Sequence, residues 1–205
     1  MTKEKELSGK KEAIYGSVWN IYVGGKDLGL IRMGEISEAS GIPKGTIYEY
    51  FRTKDQLIAE AVIWSIGQEA SALCERVEKA ESFDQKWDMV LEWVRSPAAQ
   101  SILMIDFISG DKMPERLKEE LMRLHRETCC GDDTAARVMN TLLEAGQRDG
   151  VLESRGSHLA RRSILYSAIA PVLMYGKKQE EFKDTPWEEV KAYSKKLLIV
   201  AFKKD

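Results

Sequence analysis

Apolar residues recur in steps of three and four along most of this chain, a spacing that restricts it to helices packed on helices. After Thr53 they fall at Ile58, Val62, Ile66, Ala70, Leu73 and Val77, one stripe of a long amphipathic helix. Phe83, Trp87, Val90 and Val94 form a second stripe, which ends before Pro97. Leu117, Leu121 and Leu124 follow Pro114, placed at the first helical position, where a proline costs no hydrogen bond. Ala135, Val138, Leu142 and Ala145 follow the acidic cap Asp132-Asp133 and stop at Gly150. Ser157 opens a helix carrying Leu165, Ala168, Ile169, Val172 and Leu173, with Pro171 inside it to bend it. The last helix carries Val190, Tyr193, Leu197 and Ala201. Two starts have capping-box sequences, Thr53-Lys54-Asp55-Gln56 and Thr185-Pro186-Trp187-Glu188, the second with proline at the first helical position. No strand-like alternation competes, so the expected fold class is all-α.

Charge excludes one function class. The chain's 31 Lys and Arg against 33 Asp and Glu leave a formal charge of −2, so it does not coat nucleic acid or anionic lipid by net charge alone. Three cysteines, an odd number, argue against a disulfide framework and fit a reducing compartment. The opening MTKEKELSGKKE has no apolar segment of a signal peptide. The longest apolar stretch, Ser163 to Tyr175, falls short of the roughly 18 residues that span a bilayer. A cytoplasmic protein with no membrane partner is expected. Upstream of residue 53 the expected helices are short and separated by glycines; downstream they are long. The expected division is a small helical domain over 1–53 and a larger one over 54–205.

Residues 33–51, MGEISEASGIPKGTIYEYF, narrow the function. Ile36, Ala39, Ile42, Ile47 and Phe51 have the spacing of two short helices joined at Gly41, where glycine relieves a left-handed turn. This is a helix-turn-helix pattern, whose second helix enters the major groove of DNA while the first crosses the backbone. The second helix is expected from Lys44 to Tyr50, with Lys44, Thr46, Tyr48 and Glu49 on its polar face. Ammonium and hydroxyl groups are what phosphate and base-edge contacts use. Lys54 stands at the first turn of the next helix, where a cation opposes the macrodipole and costs a few tenths of a kcal/mol. It is a poor choice for stability alone and a sensible one beside a phosphate, with Arg52 close by. From Gly41 to Lys54 three cations (Lys44, Arg52, Lys54) face one anion (Glu49), a local positive patch on a mildly acidic chain.

The stretch Ile36 to Leu57, ISEASGIPKGTIYEYFRTKDQL, resembles the DNA-binding segment of the TetR family of transcriptional regulators. A first helix around Ala13 to Tyr22 also fits. Gly41, Lys44, Gly45, Thr46, Tyr48, Tyr50, Phe51 and Lys54 fall on typical positions. The resemblance implies an all-α protein: a three-helix DNA-binding domain joined by a long helix to a helical ligand-binding and dimerisation domain. It implies phosphate contacts at Thr46, Tyr48 and Lys54, and places Lys44 and Glu49 near the bases. Pro43 departs from the family's usual small hydroxyl residue. Arg32 stands where a threonine commonly begins the second helix; it reaches a phosphate but cannot cap in the same way. The implied partners are a pseudo-palindromic double-stranded operator, a small-molecule effector and a second copy of the chain.

The remaining candidates lie downstream. Trp64, Trp87, Trp93, Met104, Phe107, Met122, Met139 and Tyr166 suit either an ordinary core or a cavity for an apolar or aromatic molecule, since methionine and tryptophan line irregular pockets. The last two helices carry more apolar surface than one face needs. With the resemblance, this makes Leu165, Ile169, Val172, Tyr193, Leu197 and Ala201 the expected dimer interface, a four-helix arrangement. His125, Cys129, Cys130, Asp132 and Asp133 are the one metal-like cluster, but adjacent cysteines point apart on a helix and no second pair is supplied, so no metal or cofactor is expected. The chain has two histidines and no H-E-x-x-H, G-x-S-x-G, P-loop or dinucleotide fingerprint, so no enzyme is expected. The expected function is a ligand-responsive regulator, a repressor released from its operator by an effector. The alternative is a helical interaction module that keeps the fold without operator binding.

Overall fold

The computed structural model describes residues 3–96, 99, 113–129, 134–153, 157–177 and 180–202. They form α1 (Lys3–Val23), a 3-10 turn (Leu28–Leu30), α2 (Met33–Ser40), α3 (Lys44–Tyr50), α4 (Lys54–Lys79), α5 (Phe83–Arg95), α6 (Glu115–Cys129), α7 (Thr134–Arg148), α8 (His158–Lys177) and α9 (Trp187–Phe202). Among the described residues there is no strand, and the all-α expectation holds.

α1 starts ten residues earlier than its apolar spacing marks, so the helices before residue 53 are not all short. The extra turns are built from good helix formers, lysine and glutamate, and carry a Ser8 Oγ to Glu12 Oε1 hydrogen bond of 2.9 Å. Residues 7–12 among them are mostly exposed, so apolar periodicity cannot reveal that stretch. Pro114 and Pro186 also differ from expectation by one position. Each sits just before its helix, where its carbonyl accepts the first intrahelical bond, from Lys118 at 3.1 Å and from Glu189 at 3.0 Å. The start of α4 follows its sequence: Thr53 Oγ1 accepts from the Gln56 amide at 3.0 Å, and Gln56 Oε1 accepts from the Arg52 amide at 3.1 Å.

By contact the chain forms two compact units, Met1–Glu69 with Ile102–Asp132, and Ala70–Ser101 with Asp133–Asp205. The core of the first joins Ile14 and Val18 of α1, Ile36 of α2, Ile47 and Phe51 around α3, Leu57, Ile58 and Val62 of α4, and Leu117 and Leu121 of α6. α4 is long and apolar enough to cross a membrane by length and composition. Its Leu57, Ile58, Ala61 and Val62 are nevertheless fully buried in this core, which is the pattern of a core helix.

In the second unit α5 packs against α7, α8 and α9, and α8 lies along α9. The stripe Phe83, Trp87, Val90 and Val94 is buried as its spacing requires. Ser82 caps α5, its Oγ accepting from the Gln85 amide at 3.3 Å. Gly150, at φ 70°, ends α7 in the left-handed region.

Two charged side chains hold helix ends in the second unit. The Lys86 side chain is almost fully buried, and its Nζ donates to the carbonyls of Val77 and Glu78 in the last turn of α4. Asp149 Oδ2 accepts from the Phe83 amide at 2.7 Å, at the first turn of α5. Each charge has the sign that its helix terminus favours. The bonds from Phe83 and from Arg148 Nε hold the Asp149 carboxyl below the usual range, the Arg148 contribution being the larger.

Candidate nucleic-acid interface

α2 and α3 form the helix-turn-helix, and the second helix covers Lys44 to Tyr50 as expected. The turn is fixed at three points. Gly41 adopts φ 69° and ψ 10°, which a side chain would strain. Ser40 Oγ donates to the Ile36 carbonyl at 2.6 Å and accepts from the Ile42 amide at 3.3 Å. Ser37 Oγ donates to the Ile42 carbonyl at 2.8 Å. The turn's polar groups are thus satisfied locally.

α3 has only seven residues, too few to stand without tertiary support. Its anchors are Ile47 and Phe51, both essentially fully buried. Tyr15 packs on the Phe51 ring at 5.8 Å between centroids. With these side chains inward, Lys44, Gly45, Tyr48 and Glu49 are exposed and Thr46 is half-buried. Tyr48, at 55% exposed, is a large ring left in solvent. Tyr50 is half-buried and packed against the core.

Arg32 is exposed at the N-cap of α2, and its amide donates to Glu35 Oε2 at 2.9 Å. Glu35 Oε1 pairs with Lys26. These two donors, Lys26 first, hold the Glu35 carboxyl below the usual range. Glu35 thus satisfies the Arg32 amide, the half of a capping box that does not need an acceptor on the cap residue.

Lys54 has partners within the chain that its place in the sequence does not show. Its Nζ donates to the carbonyls of Gly29 at 3.0 Å and Ile31 at 3.1 Å, at the end of the 3-10 turn. The ammonium therefore has a structural task that offsets its unfavourable place on the macrodipole. Gly29 is required there, because a Cβ would lie 2.7 Å from Cδ of Pro114.

The eight apolar candidates divide between the two units and residues outside the description. Trp64 and Met122 belong to the first unit; Trp64 packs against its core and Met122 is 41% exposed. Trp87, Trp93, Met139 and Tyr166 belong to the second. Met104 and Phe107 lie outside the described residues. Among the described residues the buried indole N–H groups of Trp87 and Trp93 have no acceptor. Tyr166 is half-buried and accepts from Arg162 at 3.1 Å.

The six dimer candidates separate into two groups. Ile169 and Val172 are buried within the single chain. Tyr193 and Ala201 are exposed, and Leu165 and Leu197 are half-buried. Of the metal-like cluster, His125 is half-buried on α6, while Cys130, Asp132 and Asp133 lie outside the described residues, as does the Cys129 side chain. Among the described residues no group of three or more metal-ligating side chains assembles.

Sequence reasoning missed an open groove of about 390 Å³ between α8, α9 and the segment joining them. Pro171, Met174 and Tyr175 line it from α8, Phe182 from the joining segment, and Glu189 and Tyr193 from α9. The signal was present as apolar residues three and four apart on two neighbouring helices.

Residues 29–61 match the family model described as bacterial regulatory proteins, tetR family. The fold matches solved structures across nearly the whole chain. The regulator FadR from Bacillus subtilis, in complex with stearoyl-CoA, is 14% identical, with 93% of this chain and 96% of that chain covered at a TM-score of 0.55. A TetR transcriptional regulator from Agrobacterium tumefaciens is 18% identical, covering 94% and 92% at 0.54. The fatty acid degradation regulator FadR from Bacillus halodurans is 16% identical, covering 94% and 94% at 0.54. No curated protein sequence matches significantly. The protein therefore carries the tetR-family segment, at α2–α3 and the start of α4, within a chain that has the fold of solved TetR-family regulators.

Proposed function

We propose that the protein is a ligand-responsive, DNA-binding transcriptional regulator that acts as a homodimeric repressor in the cytoplasm. The observation that carries this is α3: a helix too short to be stable by itself, held by Ile47 and Phe51 so that Lys44, Gly45, Thr46, Tyr48 and Glu49 are left for a partner. A helix so presented fits the major groove, with Arg32 and Lys54 reaching phosphates. In this reading residues 1–53 are the DNA-binding domain, and 54–205 bind the effector and the second copy.

Leu165, Tyr193, Leu197 and Ala201 supply the dimer face. Two copies put two recognition helices on a pseudo-palindromic operator. The effector is a small apolar or aromatic molecule in the larger domain. The unpaired indole donors of Trp87 and Trp93 support a bound molecule that also carries an acceptor oxygen. The complex of the Bacillus subtilis FadR with stearoyl-CoA is a precedent for a ligand on this fold. Effector binding alters how the start of α4 carries α3, so effector and operator affinities are reciprocally coupled, typically by about 1–3 kcal/mol.

Fluorescence anisotropy with DNA from upstream of the protein's own gene tests the reading. Sequence-selective binding that falls when Tyr48→Phe is introduced is expected. Equal affinity for that DNA and scrambled DNA would remove operator recognition and leave an interaction module. For any candidate effector, unchanged operator affinity at saturation would exclude it.

A further inference from the structure

The turn bonds of Ser37 and Ser40 hold the N-terminal end of α3, and Ile47 and Phe51 set how deep the helix lies. These two anchors stand four residues apart on one face, so they define a line along the helix. The C-terminal end can swing about that line unless a further point is held. That point is the amide of Arg52, the first residue beyond Phe51, which donates to Gln56 Oε1 at 3.1 Å.

Gln56 is itself oriented from α1. Its Nε2 donates to Glu60 Oε1 at 2.8 Å, and the other carboxylate oxygen, Oε2, accepts from the Tyr15 hydroxyl at 2.7 Å. The Tyr15 ring is buried and meets both Phe51 and Trp64, at 5.8 and 5.7 Å between centroids, so its hydroxyl is a fixed point of the core. Burial first, and then the bond to Glu60, raises that hydroxyl above its ordinary pKa, which keeps it a donor. The polarity of the chain of bonds is dictated by its end. A backbone amide only donates, so Gln56 must turn its oxygen toward Arg52 and its NH2 toward residue 60. Residue 60 must then accept, and Glu60 does so twice. A half-buried carboxylate costs desolvation, which these two donors offset.

We propose that Glu60 is a positioning residue for DNA recognition: held by Tyr15, it fixes Gln56, and Gln56 fixes the angle at which the chain leaves α3. That angle seats Lys44, Tyr48 and Glu49 against the DNA. The inference rests on the regulator reading above and adds to it a residue that acts only through another side chain.

The test uses the full chain, with anisotropy against the upstream DNA and against scrambled DNA, and reads the ratio of the two affinities. The substitutions change the net charge, which acts on both DNAs alike and cancels in the ratio. Glu60→Leu should lower the ratio about fivefold and Gln56→Glu about threefold. Gln56→Glu keeps the cap of α4, since a carboxylate also accepts from the Arg52 amide, but it sets two carboxylates against each other; it carries the test if Glu60→Leu fails to fold. Glu60→Gln should hold the ratio within about twofold, because its amide accepts from Gln56 and donates to the Tyr15 oxygen. Hydrogen exchange of the Arg52 amide should quicken about fivefold in Glu60→Leu and keep the parent's rate in Glu60→Gln. A merely structural glutamate would lower the melting temperature and leave the ratio alone. A parent that selects the upstream DNA, with a ratio that survives both Glu60→Leu and Gln56→Glu, would overturn the inference and leave the regulator reading standing. Unchanged Arg52 exchange in Glu60→Leu would do the same. A parent that binds both DNAs equally would remove the reading and the inference together.

Discussion

Replacing Lys54 with methionine separates its two tasks. Methionine keeps most of the aliphatic stem and removes the ammonium that donates to Gly29 and Ile31 at 3.0 and 3.1 Å. Hydrogen bonds from a charged group contribute about 1.5–3 kcal/mol when buried; with this side chain half-exposed, water replaces part of each bond, leaving a loss of about 2 kcal/mol for the pair. Removing the cation from the first turn of α4 returns a few tenths of a kcal/mol. Urea unfolding is the assay. With a slope near 2 kcal/mol per molar, the midpoint of Lys54→Met should fall by about 1 M at an unchanged slope. An unchanged midpoint would refute the assignment of Lys54 as the clamp on the 3-10 turn. The same variant reads the proposed DNA contact. Loss of one phosphate contact lowers the salt slope of operator binding by about one. A normal slope with lowered stability would leave Lys54 only its structural task.

Three further outcomes are expected. Lys86→Met should destabilise the second unit by about 2–4 kcal/mol in chemical unfolding, because it leaves the last carbonyls of α4 buried without a donor. Gly29→Ala should cost about 1–3 kcal/mol, since a Cβ there meets Cδ of Pro114 at 2.7 Å; a melting temperature equal to the parent's would contradict that close approach. Burial raises the Glu69 carboxyl above its ordinary value of 4.5, and the 3.0 Å bond from Trp19 Nε1 only partly opposes this. The folded state then holds that proton more tightly than the unfolded chain, so stability present below pH 4.5 is lost as pH rises through the folded value. Glu69→Gln keeps the acceptor and removes the charge. It should be more stable than the parent at pH 7 by up to about 1 kcal/mol, and unfolding curves should show the gap closing near pH 4.5.

Local features were the legible ones. α3 is bounded where Pro43 and the Phe51 anchor bound it, and the cap of α4 is written in Thr53 and Gln56. The burial of Phe83, Trp87, Val90 and Val94 follows from their period. Partner choice was not legible. Leu117 and Leu121 announce an apolar face on α6, but periodicity cannot say that this face enters the core built by α1–α4. In the same way a stripe on α8 does not separate Ile169 and Val172, which face inward, from Leu165, which is half-buried. The Lys54 bonds join residues more than twenty positions apart, so the position looked like a cost with no return.

The close seat of Pro114 on Gly29, and the burial of Leu117 and Leu121 beside Ile14 and Val18, bear on how portable the helix-turn-helix is. It is not a cassette. A chimera spliced at residue 53 would carry α2 and α3 away from the start of α4 and from α6 together. One spliced at residue 69 would still lack α6, and each buried leucine withdrawn exposes its seat at about 1.5–3 kcal/mol. Transfer of this helix-turn-helix to another chain therefore requires that residues 113–124 travel with the graft; a change confined to the solvent-facing positions of α3 leaves the resident scaffold intact.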